Sequence, residues 1–95
     1  MKEFFDMKAV VTVTGKDSVG IIASVSALCA EYNGNIIDIT QSVLSEYFAM
    51  IMLVEIDQLK IPFAEFADKL AAAGKDKGLD IRAMHEDIFN TMHHV

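Results

Sequence analysis

Thr14-Gly15-Lys16-Asp17-Ser18-Val19-Gly20-Ile21 marks the point where a two-residue period in this chain gives way to a helical one. Upstream, Met7, Ala9, Val11 and Val13 alternate with Lys8, Thr12 and Thr14, the pattern of a strand with one better-buried face. Downstream, Ile21, Val25, Leu28 and Tyr32 fall at helical spacing, and Asp17 or Ser18 is placed to cap the first turn by accepting a backbone N–H. The stretch is therefore a strand-to-helix corner. Such a corner directs unpaired N–H groups and the positive end of a helix dipole at its surroundings, which suits a small carboxylate or phosphate.

Gly15 and Gly20 stand in a G-x-x-x-x-G frame, but a nucleotide-binding loop needs Lys and then Ser or Thr directly after its second glycine, and Ile21-Ile22 stand there instead. No G-x-G-x-x-G occurs. Two readings of these glycines stay open: backbone geometry and close packing alone, or a share in a ligand site.

Beyond the corner, Tyr32-Asn33-Gly34-Asn35 forms a turn in which Gly34 can take the left-handed conformation that closes a helix. A second strand runs from Asn35 to Ser45 and places Ile37, Ile39, Gln41 and Val43 on one face. Ser45-Glu46 makes a tight joint into a third strand, Tyr47 to Ile56, so the two read as an antiparallel hairpin. The third strand is apolar on both sides, with Phe48, Met50, Met52, Val54 and Ile56 on one and Tyr47, Ala49, Ile51 and Leu53 on the other. Its second face needs cover from another copy of the chain or from the C-terminal segment. Pro62 suits the first turn of a second helix, whose stripe is Phe63, Phe66, Ala67, Leu70, Ala71 and Gly74. Lys75-Asp76-Lys77-Gly78 ends it; Leu79, Ile81 and Ala83 begin a fourth strand; and Ile88, Phe89 and Met92 form the stripe of a short helix from Glu86 to His93.

The order β-α-β-β-α-β predicts an α+β, ferredoxin-like domain: a four-stranded antiparallel sheet, two helices on one face, and a short C-terminal helix. Its 95 residues read as one domain, with a core over about residues 7–86 and the tail helix over about 86–94. A chain of this length buries only about 60–65% of its unfolded surface, so oligomerisation is a source of extra burial. The composition, 53% hydrophobic and 23% charged, is that of a compact globule. A net charge of −6, with eight scattered Lys and Arg, argues against nucleic acid and against an anionic membrane surface. The lone Cys29 cannot form an internal disulfide and reads as a buried helix residue. With no signal-peptide core and no long apolar run, the cytoplasm is the expected compartment.

The assembled residues Thr12-Val13-Thr14-Gly15-Lys16-Asp17-Ser18-Val19-Gly20-Ile21, Asn35-Ile36, Gln41 and Glu46-Tyr47-Phe48-Ala49-Met50 resemble an ACT domain. More narrowly, with the tail Glu86-Asp87-Ile88-Phe89-Asn90-Thr91-Met92-His93, the chain resembles free-standing single-ACT proteins of a small bacterial and archaeal family, from about Met7 to His93. The resemblance implies a regulatory module that binds a small effector, usually an amino acid, where the corner meets a neighbouring ACT unit. It implies a homodimer whose sheets join side by side, and no reaction. Asp17 and Gly20 match the ACT loop and Asn35 the residue opening its second strand, whereas Val19 stands where many effector-binding loops carry Pro.

The expected ligand site is therefore Gly15, Asp17, Ser18, Val19, Gly20, Ile21, Asn35 and Gln41, without catalytic residues, metal or cofactor. An amino-acid zwitterion needs donors for its carboxylate, which the helix start supplies, and an acceptor for its ammonium, which Asp17 or Asp38 could supply. Gln41, in phase with apolar neighbours, needs a partner in a pocket, across an interface or within the core. His85, His93 and His94 do not share a helix face and make a poor metal set. The six methionines read as flexible packing. The alternative to an effector sensor is a dimerisation or adaptor module acting through a partner protein, without a ligand.

Overall fold

The computed structural model describes residues 7–16 and 20–92, so Asp17, Ser18, Val19, His93 and His94 lie outside the described residues. The elements run β1 (Lys8–Lys16), α1 (Ile21–Glu31), β2 (Asn35–Leu44), β3 (Tyr47–Glu55), α2 (Phe63–Asp76), β4 (Leu79–His85) and α3 (Glu86–Met92). The strands form one antiparallel sheet in the order β2-β3-β1-β4, which is the ferredoxin-like arrangement expected from the sequence. None of the described helices is long and apolar enough to cross a membrane.

The period-2 pattern of β1 and β3 puts their apolar residues where the sheet is best covered. Val11 lies between Met52 of β3 and Ala83 of β4, and Val13 between Met50 and Ile81. Ala9, Val11, Val13, Met52 and Val54 are fully buried, and Ile21, Val25 and Cys29 of α1 with Phe66 and Leu70 of α2 close over them. Each large side chain removed from water there contributes about 1.5–3 kcal/mol. Burial also raises the Cys29 thiol pKa to about 11, since desolvation disfavours its thiolate.

The cap of α1 is a glycine, and two further local features differ from the sequence-based expectation. Gly20, at φ 84, holds the cap position of α1 and, as a glycine, supplies no side-chain cap hydrogen bond, while Asp17 and Ser18, expected to cap the first turn, lie outside the described residues. The left-handed backbone of Gly20 is one that other residues avoid. At the other end of α1 the left-handed residue is Asn33 (φ 69), not Gly34. The Gly34 N–H donates to the Cys29 carbonyl at 2.8 Å and the Asn33 N–H to the Ala30 carbonyl at 3.1 Å, the paired bonds of a Schellman closure. Gly34 is small for another reason: a Cβ there would stand 3.1 Å from Val54 Cγ1 and 3.3 Å from Phe66 Cζ. Finally, β2 carries a bulge between Ile36 and Asp38. Ile36 therefore opposes the core residue Val54, while Ile37 is the extra residue and remains 46% exposed.

Beyond the bulge, Ile39, Gln41 and Val43 oppose Met52, Met50 and Phe48 and share their helix-side face. The opposite face of β3 is only partly covered. Val10, which pairs with Leu53 and with Met84 near the start of α3, is buried, and α3 packs against β1 and β4. Leu44, Tyr47 and Ile51 remain exposed.

Candidate functional site

An open pocket of about 480 Å³ lies between the start of α1 and the β2–β3 hairpin. Gly20, Ile21, Ile22 and Ala23 line it from α1, Gln41, Ser42 and Val43 from β2, and Phe48 from β3. The corner exists because β1 ends against the hairpin: Lys16 pairs with Tyr47, and its Nζ stands 3.5 Å from Glu46 Oε2. That ion pair is exposed and contributes at most about 1 kcal/mol. The pairing of β1 with β3 positions the corner, and the β2–β3 ladder brings Gln41 and Val43 opposite Met50 and Phe48, beside it.

Three expected site residues thus meet in one pocket: Gly20, Ile21 and Gln41. Among the described residues the first-turn N–H groups of α1 receive no side-chain cap and stand as donors at the pocket wall. Gln41 is exposed, and among the described residues its carboxamide has no hydrogen-bond partner. It can donate and accept at once, which suits either end of a zwitterion.

Gly15 and Asn35 are placed elsewhere. Gly15 pairs with Phe48 and Leu79, and a Cβ on it would lie 2.7 Å from Leu79 Cδ2, so close packing accounts for it. Asn35 opens β2, six residues and about 20 Å of strand from Gln41. Its Nδ2 donates to Glu55 Oε1 at 2.8 Å, and it borders a separate hollow with Ala30, Asn33 and Gly34. Asp38, weighed as an ammonium acceptor, faces away with Leu53 and accepts the Ile39 N–H at 2.9 Å through Oδ1. Asp17, Ser18 and Val19 lie outside the described residues.

Sequence reasoning did not single out Ile22, Ala23, Ser42, Val43 or Phe48 as pocket residues. A signal was present for two of them: Val43 is in phase with Gln41, and Phe48 is the residue that register sets opposite Val43. His85 stacks on Phe63 with ring centroids 4.4 Å apart, which gives it a packing role at the base of α2. Among the described residues no cluster of His, Cys, Asp or Glu could hold a metal ion.

Comparison with known proteins agrees with this architecture. Residues 8–84 match the family model of the ACT domain. A UPF0237 protein of Listeria monocytogenes is 46% identical, over 92% of this chain and 98% of its own length. A UPF0237 protein of the archaeon Methanocaldococcus jannaschii is 44% identical over 93% and 98%. Among solved structures, an ACT domain protein from Streptococcus pneumoniae superposes with a TM-score of 0.77 at 42% identity, covering 87% of this chain and 93% of that one. The corner, the hairpin and the tail helix therefore have one source: the chain belongs to the ACT domain family and, within it, to the UPF0237 group of archaeal and bacterial single-ACT proteins.

Proposed function

We propose that this protein is a small regulatory sensor that binds an amino acid, or a similar small zwitterion, in the pocket at the start of α1. The ACT domain is a regulatory fold that often binds amino acids. The observation that carries the reading is the meeting, around one pocket, of first-turn α1 N–H donors and a Gln41 carboxamide that have no side-chain partner among the described residues. A carboxylate at the first turn of α1 gains charge-assisted hydrogen bonds and about 0.3–1 kcal/mol from the helix dipole. The Gln41 carbonyl, and Asp17 in the segment leading into α1, serve the ammonium.

The reading includes a homodimer, formed where β2 meets β2 of a second copy and joins two sheets into one. β2 is a ten-residue edge strand, with Ile37, Ile39, Val43 and Leu44 exposed along it. A long apolar edge is a template for pairing, and the Gln41 to Val43 wall places the pocket beside that edge. Effector binding then acts on the partner through the interface.

The test is thermal unfolding of the protein against the twenty amino acids, beside Asp17→Ala. An effector at 100 times its Kd adds about 2.7 kcal/mol, which moves the midpoint by about 10 °C or more in a domain this size. One amino acid that stabilises the unaltered chain and not the variant supports the sensor. A flat panel favours the second reading, an adaptor without a ligand, which the exposed Leu44, Tyr47 and Ile51 on the opposite sheet face support as a protein-binding surface.

A further inference from the structure

Five of the described residues lining the pocket are Ile21, Ile22, Ala23, Val43 and Phe48, and the polar side chains are confined to Gln41 and Ser42. None of the described lining residues carries a charge. Ile22 and Val43 are 37% and 55% exposed, so they are open to the pocket rather than spent on the core. A volume of about 480 Å³ is within the roughly 300–1,000 Å³ typical of small-molecule sites.

We infer that this pocket selects amino acids with an uncharged, branched or unbranched aliphatic side chain, of valine to methionine size, seated against Ile22, Val43 and Phe48. The inference rests on the amino-acid reading above and goes beyond it by naming the side-chain class. Gln41 stands at the polar margin of the site, where it bonds the zwitterion and leaves the apolar wall to the side chain. Each methylene moved from water onto that wall is worth about fourfold in affinity when fully covered. Leucine carries three more carbons than alanine, so even a half-open wall gives it roughly a tenfold advantage. A charged side chain gains nothing comparable, because it would shed water against Ile22, Val43 and Phe48 with no counter-charge among the described lining residues. The net charge of −6 further disfavours acidic ligands.

Titration calorimetry at pH 7 with valine, leucine, isoleucine, methionine, alanine, glycine, serine, aspartate and lysine tests this on the unaltered chain, Val43→Lys and Ile88→Lys. The expected result is tightest binding by one of the first four, at least tenfold tighter than glycine, serine, aspartate or lysine. Val43→Lys, at an exposed edge-strand position, then loses that preference by tenfold or more. Ile88→Lys, at a 52% exposed position on α3 away from the pocket and the β2 edge, leaves it unchanged. Tightest binding by glycine, serine, aspartate or lysine overturns the side-chain class while leaving the amino-acid site standing. Aliphatic binding that Val43→Lys leaves intact overturns the placement on this wall. Binding by none of the nine overturns the inference, and a flat response to all twenty amino acids in the thermal panel overturns the reading on which it rests as well.

Discussion

Gln41 faces Met50 across the β2–β3 ladder, yet Met50 is 1% exposed while Gln41 stands open to solvent at the pocket margin. The same register position is thus core on one strand and pocket wall on the next, because β3 lies inside the sheet and β2 at its edge. With no partner among the described residues, the carboxamide contributes little to folding. Gln41→Leu should therefore change stability by no more than about 0.5 kcal/mol. It should also remove at least half of the midpoint shift produced by the most stabilising amino acid, a comparison that paired thermal melts with and without that amino acid make directly.

Gly74 of α2 packs on β4 so closely that a Cβ would lie 2.6 Å from Ile81 Cγ1 and 2.9 Å from the Leu79 carbonyl oxygen. Helix propensity alone favours Gly74→Ala by about 1 kcal/mol. The clash involves backbone and a buried branched side chain, so overpacking wins, and the variant should lose about 1–3 kcal/mol. A lower midpoint in urea at unchanged slope is the expected readout.

Cys29 holds its proton up to about pH 11 when folded, against 9.0 for an unburied thiol. Between those values the folded chain binds more protons than the unfolded one, so stability is full below about pH 9 and falls as pH rises toward 11. Urea titrations at stepped pH should show this decline, and Cys29→Ala should shed the thiol's share of it. Thiol reagents at pH 8 should modify the native protein far more slowly than the urea-unfolded chain.

If two copies join through β2, a charge at the middle of that edge should part them. Sedimentation is expected to give twice the 10.5 kDa chain mass for the unaltered protein and a single chain mass for Ile39→Lys. Ile39 is 37% exposed, so the variant should remain folded, which circular dichroism checks. A dimer that survives Ile39→Lys would move the interface off this edge.

The succession of elements along the chain, the hairpin and α2 were legible because each is written in a local period. Met50, Met52 and Val54 alternate with Ile51 and Leu53, while Phe66, Leu70 and Gly74 recur at helical spacing, and burial follows both patterns. The corner was legible for the same reason, as a change of period between Val13 and Ile21. Tertiary structure decided whatever depends on a second segment. The bulge at Ile37 exists only against β3, and it shifts Ile36 onto the core residue Val54. Gly34 is dictated by Val54 and Phe66, and Gly15 by Leu79, partners far along the chain that no local pattern discloses. The candidate site divides in the same way: a change of period foretells a helix start with its N–H donors, but only the β2–β3 register brings Gln41 and Val43 to it and carries Asn35 away. Local periodicity sets which face of an element is apolar; which residues meet across elements is set by pairing and packing, interactions that the chain makes only once it is folded.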